Sequence, residues 1–288
     1  MNNTVEPRSA THPASRSRPT VSVVLRNRNE ATHMELVLAA LSRQSERPYE
    51  IVVVDNESSD SSIAVAERYH ARIVQISRAQ FTYGRALNVG IGAAGGELIM
   101  ILSAHSLPVG PYFITSAVNA IEETGAAAVR CRNIRLMDNH VNWSNRCVIQ
   151  GSATWDDILH LTIENPASLL RRSVWEQLKF REDVDAEDRY WSADVLNAGY
   201  KIATSDAFYF YMRRPTFAED LRRFERVITS LYPTWGQVEH SSLMDVVLSS
   251  MQAWRTALRS TLHSLARYAL LKALPLLAKR GPRVGSVR

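Results

Sequence analysis

Four polar clusters in this 288-residue chain have residue types suited to chemistry. Ser103-Ala104-His105 follows the apolar run Ile99-Met100-Ile101-Leu102 and precedes Pro108. The run reads as a strand buried in a parallel sheet, and Pro108 forbids its continuation. In open α/β sheets ligands bind just beyond the carboxyl ends of strands. His105 therefore stands where an imidazole can hold a metal or meet an anion, although a polar turn residue is equally consistent with its position. Asn27, Asn29 and Glu30 follow the apolar stretch Val21 to Leu25, and Asp55 ends the run Ile51 to Val54. Asp55 has the chemistry to accept the imide N–H of a pyrimidine base. Capping the Ser58 to Asp60 turn is its simpler use. Arg85 and Asn88, near a helix start, can reach a phosphate or a sugar hydroxyl, or lie on a solvated face. Finally, Glu187-Asp188 opens a helical pattern. The pair reads either as an acidic first turn favoured by the helix dipole or as the source of a general base.

The elements that position these clusters follow from hydrophobic periodicity. Val21 to Leu25, Ile51 to Val54, Ile73 to Ile76 and Leu98 to Leu102 read as strands. Between them, Ala31 to Gln44, a stretch capped by Ser58 or Ser59 and ending near Tyr69, and Gly84 to Ala94 read as helices. Val109 to Thr124 reads as a helix and Ala126 to Cys131 as a strand. Such alternation predicts a parallel sheet with right-handed crossovers. The polar strand ends then share one edge and line one crevice. The second half is less regular. Arg132 to Ser152 alternates weakly, Ser168 to Leu178 and Glu187 to Ala198 read as helices, and Lys201 to Met212 carries strand-like aromatics. From Pro215 onward the pattern is helical, with a break near Pro233.

Composition narrows the class. A 45% hydrophobic fraction suffices for a sizeable core, and two cysteines, Cys131 and Cys147, make no disulfide framework. They read as free thiols in a reducing compartment. Residues 1–19 are rich in Ser, Thr, Pro and Arg and read as a disordered tail, not a signal peptide. No uncharged apolar run has the length of a membrane span. Residues 255–288 hold eight Arg or Lys and no acid, which leaves −3 of the chain's +5 for residues 1–254. An acidic body argues against nucleic acid as a partner. Arg255, Arg259, His263 and Arg267 form one stripe beside Trp254, Leu258, Leu262 and Leu265, the pattern of a helix lying on an anionic membrane surface. The expected location is cytoplasmic, at the inner face of the membrane.

The ordered set Val21-Ser22-Val23-Val24-Leu25 to Asn29-Glu30, then Ile51 to Asp55, Phe81 to Asn88, Ser103-Ala104-His105 and Glu187-Asp188 resembles an inverting family 2 glycosyltransferase of the GT-A fold. The likeness runs from about Thr20 to Met212. It implies an α/β, GT-A-like domain with a mostly parallel central sheet flanked by helices at 20–214. That domain divides into a nucleotide-binding half at 20–131 and an acceptor half at 132–214. A helical, basic extension follows at 215–288. The implied reaction moves a sugar from a nucleoside-diphosphate sugar, UDP or dTDP type, to an acceptor hydroxyl in envelope glycan, glycolipid or metabolite glycosylation. By the same resemblance Asp188, with Glu187, is the catalytic pair. Asp55 matches the family's base-binding aspartate, and Asn27, Asn29, Glu30, Arg85, Asn88, Ser103 and Ala104 are expected to bind the donor beside it. His105 sits at the metal position of the family's Asp-x-Asp.

The chain also departs from the family pattern. Arg26 and Asn27 replace a usual Pro-Thr, Asn56 replaces a second acid, and no acid remains in the Ser-Ala-His triplet. No histidine lies within Tyr209 to Met212. Imidazole suits Mn²⁺ better than Mg²⁺. His105 is thus expected to hold Mn²⁺, to meet the diphosphate itself, or to leave that task to cations such as Arg85. Absence of Gln-x-x-Arg-Trp points to a non-processive enzyme. Two other classes fit less well: a sugar-nucleotide-binding protein without catalysis, and a nucleotidyltransferase, which lacks its Gly-rich, Lys-containing loop here.

Overall fold

The computed structural model describes residues 18–134, 147–151 and 161–214, with part of 216–231. The expected N-terminal tail up to residue 17, most of the 132–152 stretch and the basic stretch 255–288 lie outside the described residues.

The chain begins β1 (Val21–Asn27), α1 (Ala31–Leu41), β2 (Glu50–Asp55), α2 (Ser62–Arg68), β3 (Arg72–Gln75), α3 (Tyr83–Ala93) and β4 (Leu98–Ser103). It continues with β5 (Ser106–Pro108), α4 (Phe113–Thr124), β6 (Ala128–Asn133), β7 (Val148–Gln150), β8 (Ala167–Arg171), α5 (Arg172–Gln177), α6 (Glu187–Asn197) and β9 (Lys201–Tyr211). The described strands form one sheet in the order β3-β2-β1-β4-β8-β6-β9-β5, with β7 on β9. The strands β1 to β4, β6 and β9 run one way, and β5, β7 and β8 oppose them. The sheet is therefore mostly parallel, as expected, and the ends of β1, β2 and β4 share one edge.

Alternation along β1 divides the core into two layers. Val21, Val23 and Leu25 pack with Met34, Val37, Val65, Phe113 and Ile114 of α1, α2 and α4. Val24 packs on the other face with Leu87, Ile91, Trp175, Trp191 and Val195 of α3, α5 and α6. Arg26 follows Val24 on that second face, so the last outward step of β1 aims a guanidinium beneath α3 and α6. Two glycines let α3 lie this close. A Cβ at Gly90 would sit 2.5 Å from Val24 and 2.6 Å from Val54, and one at Gly84 would run into the Arg181 carbonyl.

Two local expectations are corrected, and one short strand adds to them. Ser168 to Leu178 is not one helix: Ala167–Arg171 is β8, antiparallel between β4 and β6, and only Arg172–Gln177 is helical. The five residues are too few for periodicity to separate strand from helix, and burial among sheet neighbours decides the outcome. The chain also resumes as β5 just after His105. Pro108 is tolerated because β5 is an edge strand paired to β9 alone. Finally, α2 is entered at Ser61 with no side-chain cap, and Ser58 bonds Asp55 instead. No described helix is long and apolar enough to cross a membrane.

Candidate active site

The ends of β1 and β2 are tied into a hydrogen-bonded knot. Asn27 Nδ2 donates to Asp55 Oδ1 at 2.9 Å, Ser58 Oγ donates to the same oxygen at 2.5 Å, and Ser58 N donates to Oδ2 at 3.0 Å. Asp55 is 1% exposed. Both of its oxygens thus serve the turn, which is the capping use weighed from sequence. Asn29 takes a left-handed φ of 51° and accepts from Ser59 N at 2.7 Å, a conformation Asn adopts more readily than most residues. Asn27 Oδ1 and Asn56 Oδ1 are buried with no hydrogen-bond partner among the described residues. Buried acceptors left open are uncommon, and these two flank the strand ends where a base is expected.

His105 is held between two partners. Its Nε2 lies 3.0 Å from Tyr211 Oη, and its Nδ1 lies 3.5 Å from Glu30 Oε1. The second separation is an ion-pair contact, too long for a well-made hydrogen bond. Glu30 also meets His33 Nδ1 at 2.5 Å. His105, first, and His33 hold the Glu30 carboxyl well below its usual range, at about 2, against the opposing effect of burial. Within Tyr209 to Met212, where no histidine lies, a tyrosine hydroxyl reaches His105 instead, brought there by the β5–β9 pairing of Ser106 with Tyr211.

The carboxylate pair opens α6. Glu187 is 1% exposed, whereas Asp188 is half-buried. One residue organises both. Asn165 Nδ2 donates to Glu187 Oε1 at 2.5 Å, and Asn165 N donates to Asp188 Oδ2 at 3.1 Å. Arg189 N donates to Asp188 Oδ1 at 2.9 Å. Burial, and then the charge of Asp188, push the Glu187 carboxyl up to about 8, while Arg26, the helix backbone and Asn165 pull it back. Burial thus favours the neutral form of Glu187, and Asp188 is the more exposed member of the pair lining the cavity.

This difference predicts a pH signature. Below pH 4.5 Glu187 is protonated whether folded or not. Between 4.5 and about 8 the unfolded chain ionises this group and the folded chain does not. Its contribution to stability therefore falls as pH rises through that window and is constant above it. Glu187→Gln removes the effect. Urea midpoints should show the variant gaining on the wild type between pH 5 and pH 8, and a constant difference would contradict the assignment.

A cavity of about 670 Å³ opens over these groups. Of the residues expected from sequence, Ser103, His105, Glu187 and Asp188 line it. Asn27, Asn29, Glu30, Asp55 and Ala104 are not among its lining residues; Asn27, Asp55 and Ala104 are buried, Glu30 is partly buried and Asn29 is exposed. Asn88 is placed elsewhere. Its amide donates to Phe180 O and Glu182 and accepts from Trp175 Nε1 and Phe180 N, so it staples α3 to the chain before α6. Arg85 points the same way, 4.0 Å from Glu182.

Sequence reasoning missed several lining residues. Arg26, Tyr83, Asn165 and Tyr211 are among them, as are the arginines Arg189, Arg213, Arg222, Arg223 and Arg226. Two signals were available. Asn165-Pro166 marks a turn. Thr216 with Glu219 is a capping box: Thr216 N donates to Glu219 Oε2 at 2.7 Å, and Glu219 N donates to Thr216 Oγ1 at 3.3 Å. It starts the helical segment whose positions 222, 223 and 226 fall on one face.

Comparison with known proteins agrees with this arrangement. Residues 22–178 match the family described as glycosyl transferase family 2. The chain is 26% identical over 180 residues to the O-antigen chain rhamnosyltransferase WbaN of Salmonella anatum, covering 57% of this chain and 56% of that one. It is 23% identical over 219 residues to RfbN of Salmonella typhimurium, also named an O-antigen chain rhamnosyltransferase, covering 71% and 70%. The match thus spans little more than half the length of the first relative. Among solved structures, a mannosyltransferase from Pyrobaculum calidifontis in complex with GDP-Man and Mn²⁺ superposes with a TM-score of 0.62 at 22% identity, over 94% of this chain and 77% of that one. Glucosyl-3-phosphoglycerate synthase from Mycobacterium tuberculosis with Mg²⁺ and UDP superposes at 0.58 and 20% identity, over 77% and 81%. These likenesses show the fold, a GT-A-like one. With more than half of its residues matching that family, the chain belongs to glycosyl transferase family 2.

Proposed function

We propose that this protein transfers a sugar from a nucleoside-diphosphate sugar to an acceptor hydroxyl by a single, inverting and non-processive displacement. The observation that carries the reading is Asp188. Its carboxylate is fixed by two backbone N–H groups and faces a cavity lined by five further arginines besides Arg26. A carboxylate keeps further lone pairs after two hydrogen bonds, so Asp188 can still take a proton. The acceptor oxygen forms its bond to the anomeric carbon as its proton passes to Asp188. The bond from that carbon to the diphosphate breaks, and the electron pair leaves with the nucleoside diphosphate. Positive groups lining the cavity favour the charge that develops there. Burial favours the neutral form of Glu187, which sets less negative charge against the leaving group.

The unpartnered Asn27 Oδ1 and Asn56 Oδ1 support a base at the β1 and β2 ends, UDP or dTDP type favoured. Two of the curated relatives, WbaN and RfbN, are rhamnosyltransferases by name, so a nucleoside-diphosphate rhamnose heads the donor panel. The basic, acid-free stretch 255–288 supports docking on an anionic membrane at its cytoplasmic face. Incubation of the protein with UDP-, dTDP- and GDP-sugars and hydroxyl acceptors tests the reading. The expected product is a nucleoside diphosphate matched by new glycoside. Release of pyrophosphate, or binding of donors with neither transfer nor hydrolysis, overturns it.

Relatives of this fold were solved with Mn²⁺ or Mg²⁺, so the residues here bear on a cation. The described residues contain no cluster of three or more His, Cys, Asp or Glu that could hold one. The triplet offers His105 Nε2 alone. Glu30 behind Nδ1 is the kind of partner that metal-bound histidines use. This donor set fits a cation shared with the donor's phosphate oxygens, with Mn²⁺ favoured over Mg²⁺. Such a cation would neutralise diphosphate charge. His105→Ala should abolish stimulation by Mn²⁺, and His105→Asp should restore activity with a shift toward Mg²⁺. Rates in Mn²⁺, Mg²⁺ and EDTA check this, and a wild type fully active in EDTA removes His105 as a ligand.

A further inference from the structure

Arg26 is the one cavity cation whose buried nitrogens are left open among the described residues. Its Nε and one terminal nitrogen are buried and make no hydrogen bond. The side chain is 12% exposed and lines the cavity. Two contacts partly offset its burial. Glu187 Oε1 lies 3.9 Å from the same terminal nitrogen, beyond hydrogen-bonding distance, and the Tyr83 ring centroid lies 5.2 Å from the guanidinium carbon. Burying a guanidinium with open donors is costly unless something else completes it. The placement is fixed by the sheet. Arg26 pairs with Ser103 of β4 and projects from the second face of β1, under α6. It thus stands beside the Ser-Ala-His triplet, the segment that carries no acid.

Resting on the proposed transfer, we infer that Arg26 binds the diphosphate of the nucleotide donor directly and supplies fixed positive charge to the leaving group. A guanidinium offers several planar N–H donors suited to phosphate oxygens, and two of the Arg26 nitrogens, Nε and one terminal nitrogen, are left without a partner. Asn165 Oδ1, also buried, unpartnered and cavity-lining, adds an acceptor suited to a sugar hydroxyl. An anion and a hydroxyl side by side are what a sugar diphosphate offers. The counter-case is that Arg26 only balances Glu187. Removing it would then alter stability and its pH dependence but not the preference for diphosphate over monophosphate.

The test is calorimetric titration of UDP, dTDP and GDP, each against its monophosphate, with no acceptor present. Wild type, Arg26→Met and Arg26→Lys are compared in EDTA and in Mn²⁺. Absence of acceptor excludes a phosphate carried by that substrate as the source of any effect. Wild type in EDTA should bind its preferred diphosphate at least about tenfold tighter than the monophosphate, the scale of one charge-assisted contact. Arg26→Met should erase most of that margin while monophosphate affinity stays within about twofold. Arg26→Lys should keep part of it. Ligand-free Arg26→Met should melt no lower than wild type, because it removes a buried cation with open donors. Arg26→Met that retains the margin overturns the inference. So does a wild-type margin seen in Mn²⁺ and absent in EDTA, which leaves the transfer reading intact. Wild type that binds none of the three diphosphates overturns both.

Discussion

Asp188→Asn is expected to leave donor binding within about twofold and to slow transfer by about two to four orders of magnitude, the scale of losing a general base. The amide is nearly isosteric, and its oxygen can still accept one of the bonds from Asn165 N and Arg189 N. What it loses is the ability to take a proton. Glu187 cannot substitute, because it is 1% exposed and favours its neutral form below about pH 8. The effect should therefore fall on kcat, with donor KM little changed. Single-turnover rates and donor titration on one preparation separate the two. An active Asp188→Asn together with an inactive Glu187→Gln would exchange their roles, and activity in both would remove the pair from the chemistry.

The framework of this site was legible because strands buried on both faces write themselves as apolar runs. Val21 to Leu25, Ile51 to Val54 and Leu98 to Leu102 declare β1, β2 and β4, and parallel pairing then forces their polar ends onto one edge. The carboxylate pair was legible for a local reason: two adjacent acids at a helix start are visible in any sequence. What could not be read was the direction of individual polar side chains. Asn88 looks like a phosphate contact at the start of α3, yet four hydrogen bonds spend its amide on Phe180, Glu182 and Trp175, some ninety positions away. Asp55 looks like a ligand, and its oxygens also hold its own turn, a use the local sequence shows only as a capping option. In the sequence Arg26 stands out only as a departure from the family pattern. Its importance comes from the step of β1 that turns it under α6, a fact of the sheet and not of the local sequence. Tyr211 reaches His105 by the pairing of β5 with β9, a pairing hidden because Pro108 reads as a stop.

Asn165 is the residue where that limit costs most, and its replacement should show it. Asn165→Ala removes the bond to Glu187 while keeping the backbone N–H that holds Asp188. The amide pins the turn before β8 to the first turn of α6, so its loss lets the turn and Asp188 drift apart. A misplacement of about 1 Å at a reacting group can cost about a hundredfold in rate, and kcat should fall by ten- to a hundredfold. Donor affinity should fall only by the single sugar-hydroxyl contact offered to Asn165 Oδ1, because the donor-side groups Ser103 and His105 belong to β4 and the segment after it. A second readout separates this from general loosening. Asn165 is one of the groups that hold the Glu187 carboxyl down, so without it that group should titrate still higher, and the stability window between pH 4.5 and 8 should extend upward. Asn165→Ser, a shorter donor, should recover part of the rate if it reaches Glu187 at all. Asn165→Ala with wild-type kcat and an unmoved pH dependence of stability would show that the two carboxylates are positioned by α6 alone.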